Sequence, residues 1–284
     1  MNQSMFIVWR ESVEALLVIG ILQAWISQQQ QDQRLTRFLW AGVVLGLMFS
    51  GLLAGAILWA GNAMSGAGSE WFQAALALIA SLLIVQMVHW MRRHGRTLKQ
   101  DLLLNANNKI SRQGGWGLLL LALLAVSREG SETVVFLYGA GAQLRGPQLG
   151  LFAIGGAFGL VLSALTITLL HGSRRFISWQ RFFAISETIL LMLGAALLVS
   201  AVERIGGQLL GMDMPEVVYS LAGDALWDSN ALLGDSHGLG GFLASFAGYR
   251  ATPSTLTVLA WVGYWLIVGG WLRYRSTEKV PCLN

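Results

Sequence analysis

Arg10-Glu11-Ser12-Val13-Glu14 stands near the start of the first long apolar stretch of this chain, and Arg128-Glu129-Gly130-Ser131-Glu132 interrupts a later one, between Leu118–Ser127 and Thr133–Ala140. Both read R-E-x-x-E. A charged side chain near the centre of a membrane helix costs about 2.5–3.5 kcal/mol on insertion scales, so three on one segment cost on the order of 8–10 kcal/mol unless they pair or face water. A sequence that carries this load twice, at one spacing, uses it. The most economical use is to hold and pass a cation.

The membrane setting follows from composition. The chain has 284 residues, 55% of them hydrophobic and only 12% charged, with a mean hydropathy of +0.57. That describes an all-α polytopic membrane protein rather than a soluble domain. Seven spans are expected: about Met5–Ile26, Phe38–Ala60, Trp71–Met91, Trp116–Ala140, Leu149–Leu170, Phe182–Ala201 and Thr255–Leu272. Trp40, Trp59, Trp71, Trp90, Trp116 and Trp271 fall near their ends, as an interfacial belt requires. Gly42/Gly46, Gly51/Gly55 and Gly155/Gly159 have the G-x-x-x-G spacing that lets membrane helices approach closely. The N-terminus has no basic n-region, so the first helix is expected to stay rather than be cleaved. The single cysteine, Cys282, excludes an intramolecular disulfide and a thiolate metal cage.

Loop charges set the orientation. Arg34 and Arg37, then Arg92, Arg93, Arg96, Lys99, Lys109 and Arg112, then Arg174, Arg175 and Arg181, then Arg273, Arg275 and Lys279 make 14 of the 19 basic residues, all on one side. The opposite loops hold Arg145, Arg204 and Arg250. The positive-inside rule therefore expects the N-terminus outside and the C-terminus in the cytoplasm. The net charge of +4 has this explanation and does not imply nucleic-acid binding. The outer segment, about residues 204–254, is glycine-rich and acidic, with Asp213, Glu216, Asp224, Asp228, Asp235 and His237. Pro215 can open a short helix there, with Val217, Val218, Leu221, Ala222 and Ala225 on its apolar face. A structured cap or a pair of short interfacial helices is expected.

The two motifs are 118 positions apart, and Val8 and Val126 share the offset. Two spans lie between the motif helices, which are the first and the fourth, so the two cross the membrane in opposite senses. This is the mark of a 3+3 inverted repeat plus one additional helix. Repeat 1 covers about 1–91 and repeat 2 about 116–203, with the last helix at about 255–272. All belong to a single transmembrane permease domain, 1–284. Transporters built this way place the substrate site near the midplane, where the repeats meet.

On a helix, Glu11 and Glu14 rise about 4.5 Å and share a face, as do Glu129 and Glu132. Two such faces gather four carboxylates. Unpaired in hydrocarbon, these could not all stay charged, and a multivalent cation resolves the conflict. Hard and borderline cations accept carboxylate oxygen ligands. Arg10 can reach Glu14, and Arg128 can reach Glu132, at a spacing of four, as auxiliaries to the metal site. The plainer reading is that these are internal Arg–Glu pairs fixing helix packing, but it leaves a second glutamate per motif without a partner. Glu70, Asp228 and His237 are candidates for admitting the ion, and Glu187 is a weaker one. His89 reads as an interfacial residue. The methionines are scattered and form no thioether ladder, which argues against a copper(I) path. No Glu-x-x-His pair, no H-E-x-x-H and no nucleotide-binding motif occurs, so an enzyme and an ATP-driven pump are not expected. Four carboxylates do not define the ion, so a permease for lead or manganese stays open on the residues alone. So does a proton-conducting or sensory membrane protein.

The chain resembles the oxidase-dependent iron transporters, which include the fungal high-affinity iron permease and the bacterial EfeU-type permeases. The hallmark of that family is two R-E-x-x-E motifs on the first and fourth of seven helices, here Arg10–Glu14 and Arg128–Glu132. Met87-Val88-His89-Trp90-Met91-Arg92 resembles the family's end of helix 3. The stretch from Asp228 through His237 to Gly248-Tyr249-Arg250-Ala251-Thr252-Pro253-Ser254 resembles the bacterial members' segment before helix 7. The likeness covers nearly the whole chain. In one respect it departs: Gln73-Ala74 stands where members often carry glutamate and glycine, with Glu70 three residues earlier. The sequence leaves open whether Glu70 substitutes. The resemblance implies iron uptake across the cell inner membrane, with iron as transported substrate and no permanently bound cofactor. It also implies a separate periplasmic ferroxidase or cupredoxin-like partner, and neither nucleic acid nor nucleotide.

Overall fold

The apolar stretches fold as long helices, because a backbone in hydrocarbon must satisfy its own hydrogen bonds. The computed structural model describes residues 1–28, 33–94, 115–142, 144–172, 179–212, 215–235 and 238–274. The helices are α1 (Asn2–Gln28), α2 (Gln33–Ala63), α3 (Ala67–His94), α4 (Gly115–Gly141), α5 (Pro147–Gly172), α6 (Trp179–Leu210), α7 (Glu216–Ala222), α8 (Gly238–Ala247) and α9 (Thr255–Tyr274). Among the described residues there is no strand, only an isolated bridge between Ala225 and Ser254. Four helices, α2, α3, α5 and α6, are long and apolar enough to cross a membrane. The R-E-x-x-E motifs lie on α1 and α4.

The chain divides into two compact units. The first takes Met1–Met64 and Met91–Ser186; the second takes Ser65–Trp90 and the chain from Glu187 onward. In the first unit α1 packs on α5, α2 packs on α4, and α1 also meets α4. The pairs α1/α5 and α4/α2 exchange when the two halves of the chain are exchanged. Their glycines keep the same register. Gly42 lies against Leu119 and Ala122 and Gly46 against Leu123 and Val126, whereas Gly155 lies against Met1 and Ser4 and Gly159 against Met5 and Trp9. Leu119, Ala122 and Leu123 stand 118 positions after Met1, Ser4 and Met5, the same offset as the motifs. Any Cβ at these four glycines would collide with the facing helix, so each pair depends on small residues for its close approach.

Beneath the motifs the first unit closes on an apolar core of Leu22, Trp25 and Ile26 from α1, Leu39 and Val43 from α2, and Leu118, Ala122 and Val126 from α4. The opposite faces of α2 and α5 carry exposed Leu47, Met48, Phe49 and Leu52, and Ile154, Phe158, Val161 and Leu165. An apolar outer surface over a packed interior is what lipid requires.

In the second unit, Tyr264 Oη of α9 donates to Leu191 O of α6 at 2.9 Å, and the His89 ring stacks on Trp271 at 4.2 Å. Two elements depart from expectation. α6 runs on to Leu210, beyond the expected end at Ala201, and the ion pairs of Glu203 with Arg250 and of Arg204 with Glu70 satisfy the charges that would otherwise end an apolar helix. Between α6 and α9, α7 does begin after Pro215, whose carbonyl accepts from Val218 N at 2.8 Å. None of its residues is fully buried, but Val218, Leu221 and Ala222 of the expected apolar face are half-buried and α7 packs on α9, whereas Val217 is exposed. Ala225 lies beyond the helix end.

Candidate metal centre

Two helices carry the charged cluster, and both belong to the first unit. On α1 a single guanidinium grips both glutamates of its motif. Arg10 Nη1 donates to Glu11 Oε1 at 2.7 Å, and Nη2 lies 2.6 Å from Glu14 Oε1. The same Nη2 contacts Met91 Sδ, on the last turn of α3, at 3.1 Å. Arg10 and Glu11 are each 1% exposed. On α4, Arg128 Nε donates to Glu132 Oε1 at 3.0 Å and stands 3.9 Å from Glu129 Oε1. Arg128 is 40% exposed.

The helix pair brings three carboxylates to one point. One oxygen each from Glu11, Glu14 and Glu129 lie within 4.8 Å of one another. Glu11 Oε2, Glu129 Oε2 and Glu132 Oε2 are buried and lack a hydrogen-bond partner. A buried carboxylate oxygen without a partner is costly. A cation among these oxygens removes that cost and is the simplest chemistry the arrangement allows. Four carboxylates against two guanidinium groups leave two negative charges in excess, which a divalent ion balances.

The packing that builds this point is local. Gly130, inside the second motif, meets Ser50 of α2 so closely that a Cβ would overlap the hydroxyl. Trp9, next to the first motif, donates from Nε1 to Thr166 Oγ1 of α5 at 2.9 Å. Ser127, Ser131 and Thr133 turn their hydroxyls back onto carbonyls of α4 and so need no outside partner.

A profile of the iron permease FTR1 family matches residues 1–276. The chain belongs to the iron permease FTR1 family. Members similar to it include a protein named ferrous iron permease EfeU in Escherichia coli O6:H1, 26% identical over 270 residues, covering 91% of this chain and 90% of the relative. Another, of the same name in Yersinia pestis, is 27% identical over 266 residues, covering 91% and 88%. No solved structure gives a significant match. This FTR1-family chain is thus a membrane iron transport protein, and iron is its substrate.

The expected site residues fall into three groups. Glu11, Glu14 and Glu129 converge, whereas Glu132 is held by Arg128 and stays outside the triad. Glu70 and Asp228 belong to the second unit. Glu70, in the first turn of α3, accepts from Arg204 Nη1 at 2.6 Å. Asp228 is exposed and caps a turn, with Asn230 N donating to its Oδ1 at 2.9 Å. His237 lies outside the described residues. Glu187, read as a weaker candidate, is buried in α6. Sequence reasoning missed Met91. Its contact with Arg10 spans 81 positions, and no periodicity links residues so far apart. The available signal was its place in Met87-Val88-His89-Trp90-Met91-Arg92, the stretch that resembles the family's end of helix 3.

Proposed function

We propose that this protein imports ferrous iron across the cell inner membrane through a site made by the two R-E-x-x-E motifs on α1 and α4. The observation that carries the reading is the convergence of Glu11, Glu14 and Glu129 within 4.8 Å at a buried point. Their carboxylates are the ion's ligands, and Glu132 joins as a fourth when Arg128 releases it. Arg10 and Arg128 do not bind metal, since a guanidinium has no acceptor; they orient and neutralise the carboxylates. The charge excess of two supports a divalent ion, as do the names of the relatives.

Seven spans, with the N-terminus outside and the C-terminus in the cytoplasm, complete the reading. α1 and α4 span despite their charges because these pair with one another. The exchange of α1/α5 with α4/α2, and the shared glycine register, support a 3+3 inverted repeat with α9 added. Glu70, Asp228 and His237 contribute to a cation-attracting outer mouth, and a periplasmic ferroxidase or cupredoxin-like protein is the expected partner.

Radioactive iron uptake into proteoliposomes, in both redox states and with competing metals, tests the reading. Ferrous uptake that manganese and lead compete poorly supports it. Iron uptake unchanged when Glu11, Glu14, Glu129 and Glu132 are each replaced by Gln, at normal protein levels, removes the site assignment.

A further inference from the structure

The function just proposed leaves a selectivity problem. A cage of carboxylates alone suits magnesium, calcium and manganese as well as iron. Ferrous iron is softer than these ions, and what separates them is a softer donor. A thioether sulfur is such a donor. One lies beside the carboxylates: Met91 Sδ, 3.1 Å from Nη2 of Arg10.

The position is specific. The same Nη2 lies 2.6 Å from Glu14 Oε1. A single guanidinium nitrogen therefore has the carboxylate of Glu14 and the sulfur of Met91 as immediate neighbours, and a cation that takes its place meets both. Met91 is 7% exposed, and Arg10 is 1% exposed, so water does not compete for either. Sulfur is a weak hydrogen-bond acceptor. As a partner for a buried guanidinium alone, an oxygen would serve better.

We propose that Met91 is a specificity-determining residue of the ion site: its sulfur rests against Arg10 and becomes the soft donor beside Glu14 when ferrous iron displaces that guanidinium nitrogen. This rests on the carboxylate site proposed above. It adds what the glutamates cannot supply, preference for ferrous iron over manganese and magnesium.

The test is equilibrium binding of ferrous iron and of manganese, each as the metal alone under anaerobic conditions, to the full chain in detergent. Binding is read apart from transport, so the two readings fail separately. Met91→Leu keeps volume and apolar packing but removes the sulfur. Met91→Gln keeps length and gives Arg10 an oxygen acceptor, but a hard one. The iron-to-manganese affinity ratio should fall on the order of 10-fold in both variants, through weaker iron binding, with manganese unchanged in Met91→Leu. An unchanged ratio in both variants overturns the proposal. A ratio lost in Met91→Leu and restored in Met91→Gln also overturns it, because Met91 would then act only by positioning Arg10. Loss of both metals in Glu11→Gln, with the ratio intact in both Met91 variants, leaves the carboxylate site standing and removes Met91 alone. Binding of neither metal by the parent protein removes both.

Discussion

The two R-E-x-x-E motifs match in sequence and differ in their surroundings. On α1 the arginine is sealed, at 1% exposure, and holds Glu11 and Glu14 at 2.7 and 2.6 Å. On α4 the arginine is 40% exposed, holds Glu132 at 3.0 Å and leaves Glu129 at 3.9 Å. Glu129, the glutamate its own arginine holds less closely, is the one that joins Glu11 and Glu14. A buried ion pair is fixed by its desolvation, because separating it strands a charge. Arg128 is part-exposed beside largely buried Glu129 and Glu132, and it holds them at longer distances. The first motif is therefore held more tightly than the second, and a cation must take the place of its guanidinium nitrogen to open it.

The largest effect should come from the triad itself. Glu11→Gln and Glu129→Gln should each reduce iron uptake in proteoliposomes to background, whereas Glu132→Gln should raise the half-saturation more than it lowers the maximal rate. Equal loss in all three would erase the distinction between triad and fourth ligand.

The arginines come next. Arg10→Ala strands two buried carboxylates and should cost about 3–5 kcal/mol of stability. Arg128→Ala also strands two largely buried carboxylates but gives up longer contacts from a part-exposed guanidinium, and should cost less than Arg10→Ala. Thermal unfolding in detergent would separate them, and a shared shift in midpoint would contradict the contrast between the tighter and the looser arginine.

Glycine substitutions probe what the halves share. Gly42→Leu and Gly155→Leu each force apart one of the exchanged helix pairs, and each should destabilise by about 1–3 kcal/mol. Similar losses sharpen the repeat; damage from one alone breaks it.

The smallest effect belongs to Asp228 and Glu70. Asp228→Asn and Glu70→Gln should raise half-saturation modestly at low ionic strength and not at high, because exposed charges are screened beyond about 8–10 Å. Uptake abolished at saturating iron would instead make either residue part of the ion site.

Much of this was legible because membrane helices obey few rules. Apolar runs mark the helices, and the spacing of Glu11 with Glu14 and of Glu129 with Glu132 puts each pair on one face. The pairing of Arg10 with Glu14 and of Arg128 with Glu132 follows from the same helical spacing. The extension of α6 to Leu210 was not legible, since it depends on Glu70 and Arg250, each far away in the chain. Nor was the pairing of Glu70, which reads as an unattached acid until Arg204 is seen beside it.

The sequence by itself determined the helices, the two charged motifs and their common offset, because each is a local pattern or a count along the chain. Only the tertiary structure decided which three of the four glutamates converge, which arginine is sealed, and that Met91 lies at the guanidinium of Arg10. The physical reason is that burial and contact between distant helices depend on packing. The glycines at 42, 46, 155 and 159 set how closely those helices meet. Two motifs with the same letters can then acquire different solvent, different partners and different work.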